Sequence, residues 1–566
     1  MARPAEQEPF LLLHSMRLHR TLVSVSGRGS ADGDSARCIV KSETNLVLVP
    51  AYVTDHGQPV RGLVKDDFVV REEQAEVPIA TFEEIESAPA GATLSNLLPP
   101  RTGRNYAPGD AQQDIVILLL DYLNGSWSSR ARIRAFMVRI AKQLEVSHTA
   151  ATVLVLTPNG SLVQLLSFTS DIRNLEKILG TIHSNLLPDN LGDGVALPSR
   201  AFDVLTERQI STSVHDFWAN SAMRANLEKD RARWTAVAFE QIAQSYRGLP
   251  GRKKLLWLST GFPDLDPIEE AGSKNSMNPM PGNESAIAGN ASAILDLYDT
   301  QKRAWVALSG SNIAVYPIDS NGVRLPPDLA RFNAEYGSET VHNIPGLPTN
   351  TPSLLMIASK TGGTVCVDTL SDCVKHAVAD ARHYYLLGFY LHGNELPGWH
   401  NLNVKVRRSG MHVRARRGFL VMDHLGQPIT ADSDQVVVAM ESPLDYTSVP
   451  MRLAWNPKGV SGDQRNVDFV IDSPPGGVIP RDTTHEVDVE ILGVARPVGS
   501  KTGLSFSANK NTKLTAAELQ KLSSGGFRFE TTVSLKPGRY AVRVFLRDNV
   551  SGKVGTVSTQ VDVSNE

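Results

Sequence analysis

The chain reads as a multidomain protein: a central α/β domain, with an open, mostly parallel sheet and helices on both faces, flanked by β-sandwich-type modules. Three observations predict this. Between Asp114 and about residue 380, near-continuously apolar runs alternate with segments of helical spacing, as strands covered on both faces require. On either side of that stretch, apolar and polar positions alternate, the pattern of half-buried antiparallel strands. At 566 residues the chain is also too long for one core, which suggests roughly three or four domains.

Residues 1–43 read as disordered or as the remnant of a presequence. Their start, "MARPAEQEPFLLLHSMRLHRTLVSVSG", lacks a charged region, a long apolar region and a small-residue cleavage site in that order. Residues 44–86 form an expected N-terminal β module, interrupted by the turn cluster "DHGQPVRG". Residues 87–112, rich in Pro, Gly and small side chains, read as a linker. The α/β domain is expected over 113–395. Its strands are "IVILLLD", "TAATVLVLTP", "LVQLLSFT", "KKLLWLSTG", "NIAVYPID" and "GGTVCVDT", with helices such as "RARIRAFMVRIAKQL" and "WTAVAFEQIAQSYRGL" between them. Asn159-Gly160 is a tight hairpin signal, so the second and third strands should be antiparallel neighbours. A β hairpin turning at Gly410 is expected over 396–422, and a C-terminal β-sandwich over 435–566.

Composition removes several function classes. A formal net charge of -3 gives no reason to expect nucleic acid as a partner, and no apolar run approaches the roughly 20 residues of a membrane span. Three cysteines exclude a disulfide-built scaffold. Cys366 and Cys373 flank a short turn and could pair in an exported protein; two buried free thiols is the reading preferred here. Ser126, Ser128 and Ser259 lie in no G-x-S-x-G elbow, and the histidines form no H-E-x-x-H pair. His376 and His383 fall seven apart on an expected helix, which places them two turns apart. "GLPGRKK" has the wrong spacing for a phosphate loop and reads as a solvated turn before a buried strand. The basic set Lys405, Arg407, Arg408, Arg414, Arg416 and Arg417 reads as charge on an exposed sheet face that blocks unwanted pairing, in preference to an anion-binding surface. Tyr384, Tyr385, Phe389 and Tyr390 read as core and rim.

The strand closing on Asp121, the hairpin, "LLSFTSDIRNLEKIL", "GRKKLLWLSTGFP", "NIAVYPIDSNG" and "TGGTVCVDTLSDCVKHAV" occur in the order of a von Willebrand factor type A domain, which the region resembles. More specifically, the chain is similar to the VWFA-related family known mainly from acidobacterial genomes. The likeness runs through Thr54-Asp55, Gly57, Pro59-Val60, Gly62-Leu63, Asp67-Phe68 and Glu72, and continues in "YYLLGFY" and "VRARRGF". It covers most of residues 45–420.

That resemblance implies a metal loop at the carboxyl end of the first parallel strand, where open sheets bind ligands. Asp121 matches the first aspartate of an Asp-x-Ser-x-Ser loop. The two serine positions fall on Leu123 and Gly125, which carry no donor, while Asn124, Ser126 and Ser128 are nearby. Thr235 sits where the threonine ligand is expected, and the final aspartate falls on Thr260, with Asp264 four residues on. The candidate metal set is therefore Asp121, Ser126, Thr235 and Thr260, a degenerate MIDAS with one anion to compete with the hydration shell of Mg2+. The alternative for these groups is a hydrogen-bonded network joining loop ends.

The expectation is a non-enzymatic, extracytoplasmic, adhesion-like protein. It would bind a protein or other macromolecule through the top face of the type A-like domain, with no cofactor. Secretion or periplasmic residence rests on the family resemblance. Two other readings stand beside it: a Mg2+-dependent binder using Asp121 and Thr235, and a hydrolase with an unrecognised site.

Overall fold

The computed structural model describes residues 46–86, 101–106, 115–125, 127–147, 150–169, 214–262, 297, 299–320, 351–366, 370–380, 383–391, 398–421, 432–461, 463–500 and 502–563. Residues 45–566 form one compact unit. Among the described residues there are twenty-two strands, few helices and five sheets.

The predicted fold class does not hold for this chain. Four of the five sheets are antiparallel throughout, and the molecule is mostly β rather than an open parallel α/β sheet with added modules. The sequence reading gave too much weight to one sheet, because fully buried strands make the most conspicuous apolar runs.

That one sheet has the order β11-β10-β7-β8-β9, comprising β7 (Ile115–Asp121), β8 (Ala150–Leu156), β9 (Leu162–Thr169), β10 (Lys253–Ser259) and β11 (Ile313–Asp319). Three neighbouring pairs are parallel, and β8 and β9 are antiparallel around the Asn159-Gly160 turn, where Gly160 has φ 81°. Alternate side chains of β7 enter two cores. Ile115, Ile117 and Leu119 pack with Phe239, Ile242 and Leu355. Val116, Leu118 and Leu120 pack with Ile133, Met137 and Val374. The helices lining these two cores are α1 (Trp127–Ser147), α2 (Val214–Tyr246), α3 (residues 299–310, through Ala304, Trp305 and Leu308), α4 (Thr351–Thr361) and α5 (Leu370–Asp380).

The N-terminal strands do not make a module by themselves. β1 (Leu46–Asp55) is central in a sheet of order β14-β1-β12-β5, formed with β5 (Thr81–Glu86), β12 (His383–Tyr390) and β14 (Met411–Ala415). β3 (Phe68–Glu72) and β4 (Ala75–Val77) join β13 (Gly398–Val406) and β15 (Gly418–Val421) in the order β15-β13-β3-β4. The two sheets share one core, with Val49, Val53, Phe68, Tyr385, Leu387 and Phe389 all buried.

The turn at Gly410, φ 81°, does not close a hairpin. It carries the chain from β13 in one sheet to β14 in the other, and β13 instead pairs with β15, Gly398 opposite Val421. β12 ends the run of buried aromatics, with Tyr384, Tyr385 and Phe389 inside and Tyr390 at the rim. It also holds His383, so the expected helix carrying both His376 and His383 ends at Asp380.

The C-terminal sandwich is built from β16 (Arg452–Ser461), β17 (Gln464–Ser473), β18 (Glu486–Pro497), β19 (Leu504–Lys513), β20 (Phe527–Leu535), β21 (Gly538–Asp548) and β22 (Lys553–Val563). It pairs the sheets β20-β17-β16-β6 and β19-β18-β21-β22 over a core that includes Phe469, Ile471, Ile491 and Val544. Its first strand, β6 (Thr102–Arg104), comes from the segment read as a linker. No helix among the described residues is long and apolar enough to cross a membrane.

Cys366 and Cys373 are joined in a disulfide, with their Cα atoms 5.4 Å apart, which corrects the free-thiol reading. The run after "GLPG" is likewise not a solvated turn, since Arg252, Lys253 and Lys254 are all buried. A solvated turn would leave the ammonium in water; here Lys253 Nζ donates to the carbonyls of Leu249, at 2.6 Å, and Gly251, at 3.2 Å.

Candidate functional site

Asp121 is the last residue of β7, completely buried at the carboxyl edge of the parallel strands. β10 runs beside β7 with Leu258 opposite Leu120, which brings Ser259 alongside Asp121. Trp257 and Ser259, two apart on one strand, therefore present their donors to the same carboxylate. Ser259 Oγ donates to Asp121 Oδ2 at 2.7 Å and Trp257 Nε1 donates to it at 3.1 Å.

The loop after β7 folds back onto the same group. Asn124 donates its backbone N–H to Asp121 Oδ1 at 3.0 Å and its side-chain amide to Oδ2 at 2.7 Å. The amide also donates to Thr235 Oγ1 at 2.8 Å, and Thr235 passes its own proton to the Arg231 carbonyl at 2.8 Å. Thr260 Oγ1 donates to the Asn124 carbonyl at 2.8 Å. Gly261 N–H donates to Ser259 Oγ at 2.9 Å, and Phe262 N–H to Ser353 Oγ at 3.1 Å, tying this edge to α4.

Three of the four predicted site residues thus come together, with Asn124 rather than a metal position between them. Asp121, Thr235 and Thr260 each bond Asn124. Ser126 and Asp264 lie outside the described residues. Leu123 is turned into the apolar core, and a Cβ on Gly125 would lie 2.8 Å from Ser129 Oγ, so a serine at either place would disturb the packing. Trp257 and Asp319 are participants at this edge that the sequence reading missed. Asp319 is a second buried carboxylate, opposite Ser259 across the β10–β11 pair. Strand register would have placed Ser259 beside Asp121, but register is invisible until the pairing of β7 with β10 is known.

Burial raises the Asp121 carboxyl above the ordinary carboxylate range, against the opposing effect of the Asn124, Ser259 and Trp257 donors. The donor set fits a hydrogen-bonded hub better than a divalent ion. Both carboxylate oxygens already accept N–H or O–H bonds, and a cation would need those donors turned away. Among the described residues no group of three or more His, Cys, Asp or Glu could hold a metal ion.

Beside the hub, the turn between β8 and β9 is fixed by Thr157 Oγ1, which donates to the Ser161 carbonyl at 2.8 Å, while the Asn159 tip is exposed. This end of the sheet presents an edge whose loops are tied together by hydrogen bonds to a buried carboxyl group. No protein-family model matches the chain, and no curated protein matches it.

Proposed function

We propose that the chain is a non-enzymatic binding protein that holds a macromolecular partner at the carboxyl edge of its parallel strands, without a metal. The observation that carries this reading is the Asp121–Asn124 hub, which joins β7, α2 and β10 and spends its donors and acceptors internally. Such a hub fixes loop positions for contact, and its one hydroxyl beside a carboxylate, that of Ser259, is completely buried and also accepts the Gly261 N–H. The resemblance of its sequence motifs to those of VWFA-related proteins favours a binding role. The Cys366–Cys373 disulfide supports residence in an oxidising, extracytoplasmic compartment.

The test uses the full chain, cross-linked to its partners in cells of its source and recovered with and without a chelator. The expected result is an unchanged partner set with chelator, loss of those partners in Asn159→Arg, and no melting shift with millimolar Mg2+, Mn2+ or Ca2+. Chelator-sensitive recovery, or a cation-induced rise in melting temperature that Asp121→Ala removes, overturns the metal-free reading. Partner recovery unaltered by Asn159→Arg overturns the assignment of the face.

A further inference from the structure

The two sheets that share the N-terminal core leave a groove of about 1000 Å³ between β13, β14 and α4. Lys405, Arg414, Arg416 and Arg417 line it, and no aspartate or glutamate does. In a chain of net charge -3 this is a local concentration of positive charge. The neighbouring cations are neutralised: Arg408 forms a two-pronged bond with Asp67 at 3.0 Å, and Arg407 meets Glu76 at 3.5 Å. Arg414 is paired with the buried Asp380. Lys405, Arg416 and Arg417 have no ion pair among the described residues.

Charge placed only to block strand pairing should stand in water. Arg416 is only partly in water. Its Nε is buried without a hydrogen-bond partner, and burial pulls the guanidinium down to about 10. A part-buried cation facing a cavity without a carboxylate favours an anion.

The backbone defines the shape of that anion. Among the described residues, β14 pairs with β1 alone, so its other edge has free N–H and C=O groups. β13 pairs with β3 over Leu402–Val406 and with β15 only before that stretch; on its other side the Leu402 N–H bonds the Arg417 carbonyl at 2.7 Å, and no strand pairs there with Asn403–Val406 among the described residues. An open strand edge accepts an extended chain, with side chains alternating between groove and solvent.

We propose that this groove takes an extended acidic segment of a partner protein, which adds as a strand to the free edge of β14 and sets carboxylates on Arg416 and Arg417. None of the residues around Asp121 lines the groove, so this surface is independent of the face proposed above.

Fluorescence anisotropy of the full chain with labelled decapeptides tests it. A peptide alternating Glu and Val is compared with its Lys-for-Glu counterpart, and with a Glu peptide N-methylated at alternate residues. The Glu peptide alone should bind, and Arg416→Ala should weaken it about tenfold or more. Should Arg416→Ala fail to fold, Lys405→Gln, at an exposed position, should still weaken binding and make its dependence on salt shallower. Equal binding of the N-methylated peptide overturns strand addition, and displacement of the Glu peptide by inorganic polyphosphate at equal charge concentration overturns the peptide assignment. No binding of the Glu peptide overturns the proposal altogether.

Discussion

At the scale of single residues, two buried ionisable groups on adjoining strands are handled differently. Asp121 is satisfied by four donated hydrogen bonds from Asn124, Trp257 and Ser259, which leave its carboxylate buried but solvated by the protein. Lys253 has only two carbonyls, and burial pulls its ammonium down to about 7. Its ordinary value is about 10.4. Below about pH 7 folded and unfolded chains both hold the proton, and the folded chain bears the full cost of a buried charge. Between there and about pH 10.4 only the unfolded chain holds it, so this group makes stability rise with pH. Urea unfolding near pH 7 and near pH 9.5 should show the wild type gaining roughly 1–3 kcal/mol more than Lys253→Met. A parallel response of the two proteins would refute the depressed lysine. Asp121 was legible in the sequence because an acidic residue ending an apolar strand is conspicuous. The depth of Lys253 was not, because "GRKK" is equally the spelling of an exposed turn, and only the packing of β10 between β7 and β11 buries it.

At the scale of elements, junctions decide the architecture. The end of α2 docks against the C-terminal sandwich, where Thr447 donates its N–H, at 2.9 Å, and its hydroxyl, at 2.7 Å, to the Ser245 carbonyl. Gly248 allows the approach, since a Cβ there would lie 2.2 Å from the Thr447 carbonyl oxygen. Gly248→Ala should therefore destabilise by roughly 1–3 kcal/mol, read as a lower urea midpoint, whereas Gly310→Ala, with open space around it, should be near neutral. Elements with a local cause were legible: the Asn159-Gly160 hairpin, the alternating β18 (Glu486–Pro497) and the apolar β10. The Gly410 turn was misread for a physical reason. A turn residue reveals that the chain reverses, not whether the next strand pairs with the last or crosses to a facing sheet. Likewise β6 gives no signal of its own, being three residues whose pairing is set by Arg452–Ala454.

At the scale of the whole molecule, the α/β segment is not separable. β12 is bounded on one side by β1 and on the other by β5, both from the N-terminal stretch. A fragment of residues 110–395 would keep β12 while losing both partners, exposing Leu387 and Phe389 and two open edges. It should accumulate as aggregate, whereas residues 45–566 should elute as a defined species in size-exclusion chromatography. A monomeric, cooperatively melting 110–395 fragment would contradict the shared sheet. The sequence supported the division at residue 113 because composition changes there, but long-range pairing leaves no compositional trace. The same pairing has a consequence in time. The Leu63 N–H bonds the Tyr385 hydroxyl, 322 residues further along. During synthesis β1 and β3 must wait without their long-range partners β12, β14 and β13 while the whole parallel-sheet region is made. Assembly of the N-terminal core is then a late step, slow and exposed to aggregation, in which the earliest strands are among the last to find their places.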